Sequence, residues 1–184
     1  MPKPLPLSSE ELDALAEQHG TPLQLYDEAG IRAQTRGMID AFRASFPGFR
    51  EFFAVKALPN PAVLRLLLAE GCGLDCSSTS ELHIARALGV PGESIMYTSN
   101  YTSVDDLGWA YDQGAVINLD DISLVASLVE ARGKCSDLIS FRLNPGLGRT
   151  DSETASNVLG GPDAKFGVPP DQIVEGYVAL ARHD

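Results

Sequence analysis

The feature that most constrains this fold is a repeated alternation of short apolar segments with helical segments of about ten residues. Each apolar segment predicts a buried β-strand, and each longer segment predicts a helix. Glycines end three of the helices, at Gly71, Gly89 and Gly114. The predicted strands are 52–57, 74–77, 95–98, 116–119 and 138–143, and the helices that follow them are 61–70, 79–88, 104–113, 122–131 and 170–182.

The N-terminal residues predict a separate preamble ahead of this alternation. Ser8 and Ser9 followed by Glu11 form the pattern of a capping box that begins a helix, and Gly20 ends that helix. A short strand is predicted over residues 22–26, and a long amphipathic helix over residues 30–45. We therefore expect a preamble over residues 1–26 and one folded domain over residues 27–184.

Strands that alternate with helices predict βαβ units and a parallel sheet covered by helices. A doubly wound sheet would be complete with five strands, but no glycine-rich turn joins a first strand to a helix N-terminus. A (β/α)8 TIM barrel has eight units and takes about 250 residues, whereas this chain has 184. We favour an α/β barrel of which this chain supplies about five of the eight units.

The charge balance and the cysteine content limit the binding partners and the cellular compartment that can be expected for this protein. The net charge of −11 argues against nucleic acid and anionic membranes as partners. The sequence shows neither a signal peptide nor a membrane span, so we expect a cytoplasmic protein. The three cysteines are expected to be reduced thiols, and no Cys/His spacing resembles a zinc site, so no metal is predicted.

Lys56 is the first candidate for catalysis because it ends an otherwise apolar predicted strand. An ammonium group is costly to bury without a partner or a task. A lysine that extends from the barrel rim into solvent is the structural alternative. Active sites of barrels of this kind lie at the C-terminal ends of the strands, which favours a catalytic interpretation.

Several segments of the chain resemble one family in order and in approximate spacing. They are FFAVKALPNPAVLRLLLAEGCGLDCSSTSEL, GVPGESIMYTSN, GAVINLDD, FRLNPG and AKFGV. Together they resemble the N-terminal barrel of the alanine-racemase-like, fold-type III decarboxylases, a group that acts on diaminopimelate, ornithine and arginine. The resemblance extends from about Thr21 to the end of the chain. It implies a pyridoxal 5'-phosphate (PLP) cofactor and an amino-acid decarboxylase.

The resemblance also implies roles for individual residues. Lys56 corresponds to the lysine that forms a Schiff base with PLP, and Asp75 and Arg142 correspond to residues that contact the cofactor. Asp75 could instead be held by backbone donors at a turn, and Arg142 could form an ion pair with Asp75 or Asp120.

Two further residues correspond to positions near the mouth of the family's active site. They are Glu81 and Lys165. Glu81 has the structural alternative of capping a helix three residues after Ser78, and Lys165 that of an ordinary surface lysine.

The Asn144-Pro145-Gly146 segment is more similar to diaminopimelate decarboxylases than to ornithine decarboxylases. The implied reaction is therefore the conversion of meso-diaminopimelate to L-lysine, in a family whose members form homodimers. The family's ring-stacking histidine, phosphate loop, pyridine-binding glutamate and C-terminal β-domain have no counterpart in these residues. We expect the 184 residues alone to be inactive, and the alternatives are a non-catalytic PLP- or partner-binding module and an unrelated doubly wound enzyme.

Overall fold

A computed structural model describes residues 7–147, 161 and 164–183. The chain forms two compact units, Met1–Phe49 and Arg50–Asp184. No helix within the described ranges is both long and apolar enough to cross a membrane. The division predicted at residue 27 and the absence of a β-domain stay predictions.

The N-terminal unit contains helices α1 (Ser9–His19) and α2 (Glu28–Arg43). The predicted capping box is confirmed: the Glu11 amide donates to Ser8 Oγ at 3.2 Å, and the Ser8 amide donates to Glu11 Oε2 at 2.8 Å. The strand predicted over residues 22–26 is wrong, because this exposed stretch pairs with no strand in the part of the chain that the structure describes. Helix α2 begins before residue 30, since the Asp27 carboxylate caps it by accepting from the Gly30 amide.

The second unit repeats strand and helix as predicted, with bounds that differ by a few residues. Its elements are β1 (Phe52–Ala54), α3 (Pro61–Ala69), β2 (Gly73–Cys76), α4 (Thr79–Ala87), β3 (Ile95–Ser99), α5 (Val104–Asp112), β4 (Val116–Leu119), α6 (Leu124–Arg132), β5 (Ile139–Phe141) and α7 (Ile173–Leu180).

The five strands form one parallel sheet in the order β1-β2-β3-β4-β5. Every strand therefore lies beside the next one in sequence, as in a barrel. A doubly wound sheet would reverse its strand order at a switch point, and no reversal occurs among these strands. The prediction of part of a barrel is confirmed, and the doubly wound alternative is wrong.

The two faces of the sheet differ in chemistry because successive side chains of a strand point to opposite sides. One face carries side chains such as Leu74, Tyr97 and Ile117, each at most 1 % exposed. Helices α3 and α4 contact β2, and helix α5 contacts β4. Burying one such large apolar side chain contributes roughly 1.5–3 kcal/mol, so this face holds the core.

The opposite face, called the inner face below, carries four half-buried polar side chains beside the apolar Met96 and Val116. The polar residues are Asp75, Thr98, Asn118 and Ser140, as the register of the parallel strands requires. A run of polar groups across three neighbouring strands needs hydrogen-bond partners or a ligand. The inner face is therefore the candidate location of a ligand-binding site.

The end of β1 differs from the prediction. The strand ends at Ala54, opposite Asp75, and Val55–Ala57 forms a turn of 3₁₀ helix closed by the Leu58 amide donating to the Val55 carbonyl at 3.1 Å. Val55 is fully buried and fixes this turn in the core. Lys56 thus lies in the turn that follows the strand rather than in the strand itself.

Candidate active site

A cavity of about 480 Å³ lies at the carboxyl ends of the strands, within the size range of ordinary small-molecule sites. Three of the predicted site residues line it together: Lys56, Asp75 and Arg142. The other residues lining it are Ser77, Thr98, Asn100, Asn118 and Phe166. An amine, a guanidinium, a carboxylate and several neutral polar groups therefore share one space.

Lys56 is exposed, so its amine can reach a molecule in the cavity. The neighbouring Val55 is fully buried and holds the backbone of the turn. The amine is thus presented by an anchored segment rather than by a free loop. This position agrees with the expected location of a barrel's reactive groups, at the C-terminal end of a strand.

Asp75 lies on β2 between Ala54 and Met96 in the sheet register. Its atom Oδ1 is buried and has no hydrogen-bond partner among the described residues. Burial raises the pKa of this carboxyl, the Thr98 hydroxyl and the Lys56 charge oppose that rise, and Glu81 adds to it. A buried acceptor without a donor is costly, so a donor supplied by a bound molecule would satisfy Oδ1.

The Arg142 side chain is held between a carboxylate and an aromatic ring. Its Nη1 atom donates to Asp120 Oδ1 at 3.2 Å, and Asp120 is only 5 % exposed. Its guanidinium carbon lies 4.6 Å from the centre of the Phe166 ring. The sequence left two acidic partners open for Arg142, and the structure pairs it with Asp120.

The loop that carries Phe166 approaches the end of β5 closely because it contains Gly167. This glycine has φ of +82°, and a Cβ atom there would lie 2.8 Å from the Asn144 amide nitrogen. The Val168 amide donates to the Arg142 carbonyl at 2.7 Å, and the Asn144 amide donates to the Val168 carbonyl at 2.9 Å. These contacts fix the position of Phe166 against Arg142.

Glu81 and Lys165 are not among the residues lining the cavity. The Glu81 carboxylate accepts from the Ser77 amide at 2.9 Å and contacts the Ser78 hydroxyl at the start of α4. It therefore has the capping position that the sequence left open, although its charge still reaches Asp75. Lys165 is exposed, and its Nζ atom lies 5.1 Å from the Phe166 ring centre. Their placement at the mouth stays a prediction.

Sequence reasoning did not predict the five other residues that line the cavity, among them Thr98 and Asn118. Ser140 donates to Asn118, and Asn118 donates to Thr98, across three neighbouring strands. Asn118 stands alone as a polar residue within the apolar run of β4, and this pattern is the signal that could have found it. The partners of Asn118 could not be found in that way, because they depend on the strand register.

The model of the family described as "Pyridoxal-dependent decarboxylase, pyridoxal binding domain" matches residues 32–184. This chain belongs to that family. The match begins inside α2 and includes Lys56, Asp75 and Arg142. It also confirms the predicted cofactor, pyridoxal phosphate, and the predicted barrel class.

Protein TabA of Pseudomonas amygdali pv. tabaci is 40 % identical to the chain over 166 residues, covering 90 % of this chain and 37 % of TabA. The diaminopimelate decarboxylase of Methanothermobacter thermautotrophicus is 38 % identical over 163 residues, which cover 89 % of this chain and 37 % of that decarboxylase. A crystal structure of diaminopimelate decarboxylase from M. jannaschii with L-lysine matches with a TM-score of 0.77 and 26 % identity, covering 93 % of this chain and 41 % of that one. The chain thus spans about two fifths of the length of these relatives.

Proposed function

We propose that this chain is the portion of a PLP-dependent amino-acid decarboxylase that carries the cofactor-attachment lysine, Lys56. We also propose that the whole protein converts meso-diaminopimelate to L-lysine and acts as a homodimer. One observation carries the proposal: Lys56, Asp75 and Arg142 line the same cavity at the carboxyl ends of the strands, in a chain that belongs to this family.

The residues present fit the cofactor. The Lys56 amine can bond to an aldehyde carbon, the unpartnered Asp75 Oδ1 can accept a hydrogen bond, and Arg142 can donate to an anionic oxygen. When bound, PLP supplies an electron sink for the pair of electrons left on the substrate when carbon dioxide departs. The structure offers no competing cluster, since the described residues contain no group of three or more His, Cys, Asp or Glu placed to hold a metal.

Three side chains of the site have separate roles beside the cofactor. Lys56 must lose a proton to become a nucleophile, and Asp75 is the carboxylate lining the cavity beside it. The Arg142 guanidinium is held by Asp120 and Phe166, so its remaining N–H groups keep a fixed direction. Asp75 thus orients the amine, and Arg142 orients an anionic group.

Diaminopimelate is the proposed substrate because the relative from M. thermautotrophicus is named as a decarboxylase of that compound. The Asn144-Pro145-Gly146 segment supports this choice only indirectly. Asn144 is buried, and its side-chain amide is bonded to the Gly161 backbone and to the Gly146 amide. It shapes the loops beyond β5 and is not among the residues lining the cavity.

A non-catalytic PLP- or partner-binding module is the second candidate for these 184 residues, which span about two fifths of the length of the relatives that they match. The resemblance implies a ring-stacking histidine, a phosphate loop and a β-domain that these residues do not provide. We therefore propose that the 184 residues bind PLP and do not release carbon dioxide at an appreciable rate.

Displacement of Lys56 by amino acids tests the substrate. The chain is loaded with PLP, incubated with one amino acid, reduced with borohydride, and the PLP-labelled Lys56 peptide is quantified by mass spectrometry. We expect meso-diaminopimelate to lower labelling more than ornithine or arginine at equal concentration. A stronger effect of ornithine would overturn the substrate but keep the cofactor role.

A parallel assay of carbon dioxide release tests whether the chain is inactive. The PLP-loaded chain is incubated with carboxyl-labelled meso-diaminopimelate, ornithine or arginine, and released label is counted. No release above that of the Lys56→Ala variant is expected. Release that depends on Lys56 would refute the proposed inactivity of the 184 residues.

A further inference from the structure

The Phe166 side chain lines the candidate cofactor cavity together with Arg142. The guanidinium carbon of Arg142 lies over the Phe166 ring, 4.6 Å from its centre. This distance is within the range of about 6 Å in which a cation is attracted to the face of an aromatic ring. The ring is therefore engaged with a cation of the site and is not only an apolar part of the cavity wall.

Within the described part of the chain, the Arg142 side chain makes one hydrogen bond, which runs to Asp120. Its Nη1 atom donates to Oδ1 at 3.2 Å, and Asp120 is only 5 % exposed. A bidentate pair with a carboxylate would fix the whole plane of a guanidinium. A single bond fixes one corner and leaves the plane free to turn about that bond. Because a ring packed against the guanidinium restricts this turning, Phe166 supplies the constraint that the Asp120 bond lacks.

The backbone on both sides of Phe166 is held at the end of β5. After Phe166, the Val168 amide donates to the Arg142 carbonyl at 2.7 Å, and the Val168 carbonyl accepts from the Asn144 amide at 2.9 Å. Before Phe166, the buried Asn144 side chain exchanges two hydrogen bonds with the Gly161 backbone, at 3.0 and 3.1 Å. These bonds do not involve the Arg142 side chain. The loop therefore positions the Phe166 ring, and the ring can in turn position the guanidinium.

We propose that Phe166 is a positioning residue, which acts through Arg142 to set the affinity of the site for its anionic cofactor. This inference rests on the proposed function, in which Arg142 orients an anionic group. A site loses affinity when a long side chain becomes ordered only on binding. Phe166 removes that loss by ordering Arg142 before the cofactor arrives. Direct packing of the ring on the cofactor is the alternative, and it predicts a different result in the test below.

The first measurement follows Arg142 in the 184-residue chain without cofactor. The Arg142 side-chain N–H signals are recorded by NMR and assigned from their loss in Arg142→Leu. A nucleus near an aromatic ring is shifted by the ring current, so Phe166→Leu should move the Arg142 Nε–H signal toward that of a free arginine. Phe166→Tyr keeps the ring and should retain the shifted signal. An Arg142 signal that stays in place in Phe166→Leu would overturn the proposal.

The second measurement is the affinity for PLP, taken from the absorbance of the protein-bound imine at increasing PLP concentration. Phe166→Leu should weaken binding by about fivefold, the change that corresponds to ordering one long side chain. Phe166→Tyr should restore the affinity of the parent. In an Arg142→Leu background, Phe166→Leu should cause no further loss, because its effect passes through Arg142.

A loss of similar size in the Arg142→Leu background would indicate direct packing of the ring on the cofactor and would overturn the proposal. Equal affinities of the parent and Phe166→Leu would overturn it as well. Phe166→Met, which keeps a long apolar side chain, takes the place of Phe166→Leu if that variant does not fold. The proposed function fails in a different way, by the absence of an imine in the parent at saturating PLP.

Discussion

Removal of the Arg142 side chain should destabilise the fold by an amount that the Asp120 contact sets. Asp120 is 5 % exposed, and Arg142 bonds it at 3.2 Å. A hydrogen bond to a charged group contributes about 1.5–3 kcal/mol. The Arg142 side chain is 37 % exposed, so solvent screens its bond to Asp120, and we place that bond at the low end of this range. The Phe166 contact adds about 0.5 kcal/mol. Arg142→Leu should therefore lower the free energy of unfolding by about 2 kcal/mol.

Urea denaturation of four variants separates the ion pair from general packing. In the parent background, Arg142→Leu leaves a buried charge without a partner. In an Asp120→Asn background, the same substitution should cost less than about 1 kcal/mol, because the side chain left behind is neutral. Arg142→Lys should fall between the parent and Arg142→Leu, since it keeps the charge but not the planar donor geometry. Equal losses in the two backgrounds would refute the reasoning.

Other parts of the fold give three independent predictions. Asn60→Ala should cost about 1 kcal/mol in urea denaturation, because the Asn60 side chain caps α3 by accepting from the Ala62 amide at 2.9 Å. Cys76 is fully buried, and burial, with Glu81 and Asp75, raises the pKa of its thiol to about 12; iodoacetamide at neutral pH should label its peptide only after unfolding. Hydrogen bonds from Thr79 and Ser103 lower the pKa of Asp106, so they stabilise the fold above the pKa of an unfolded aspartate. Thr79→Val should therefore destabilise at neutral pH, and urea titrations should show the difference from the parent shrinking as the pH falls through the acidic range.

The sequence predicted most of the fold because its local signals were strong. Ser8 with Glu11 marked the start of α1, and glycines marked the ends of several helices, since capping depends on residues close together in the chain. The segment after Ala54 was predicted wrongly because an apolar run continues to Ala57, whereas pairing with β2 ends at Asp75. The predicted strand over residues 22–26 failed for a similar reason, since a strand also needs a neighbour.

The candidate site was predictable only in part. Lys56 was found because it is charged and ends an otherwise apolar predicted strand, whereas Asp75 and Arg142 were found through the resemblance of their segments to the family. Thr98 and Ser140 are neutral, and their place in the site depends on which residues of β3, β4 and β5 lie opposite Asn118. That register follows from the packing of the whole sheet, so no short segment of sequence contains it.

The absorbance change on adding PLP to the chain tests the central claim most directly. PLP is titrated into the parent, Lys56→Ala and Lys165→Ala, and the protein-bound imine band is recorded. We predict that the band forms in the parent and in Lys165→Ala, whose lysine is exposed, and that it is lost in Lys56→Ala. A band of equal strength in Lys56→Ala, or none in the parent at saturating PLP, would contradict the assignment of Lys56 as the cofactor-attachment residue.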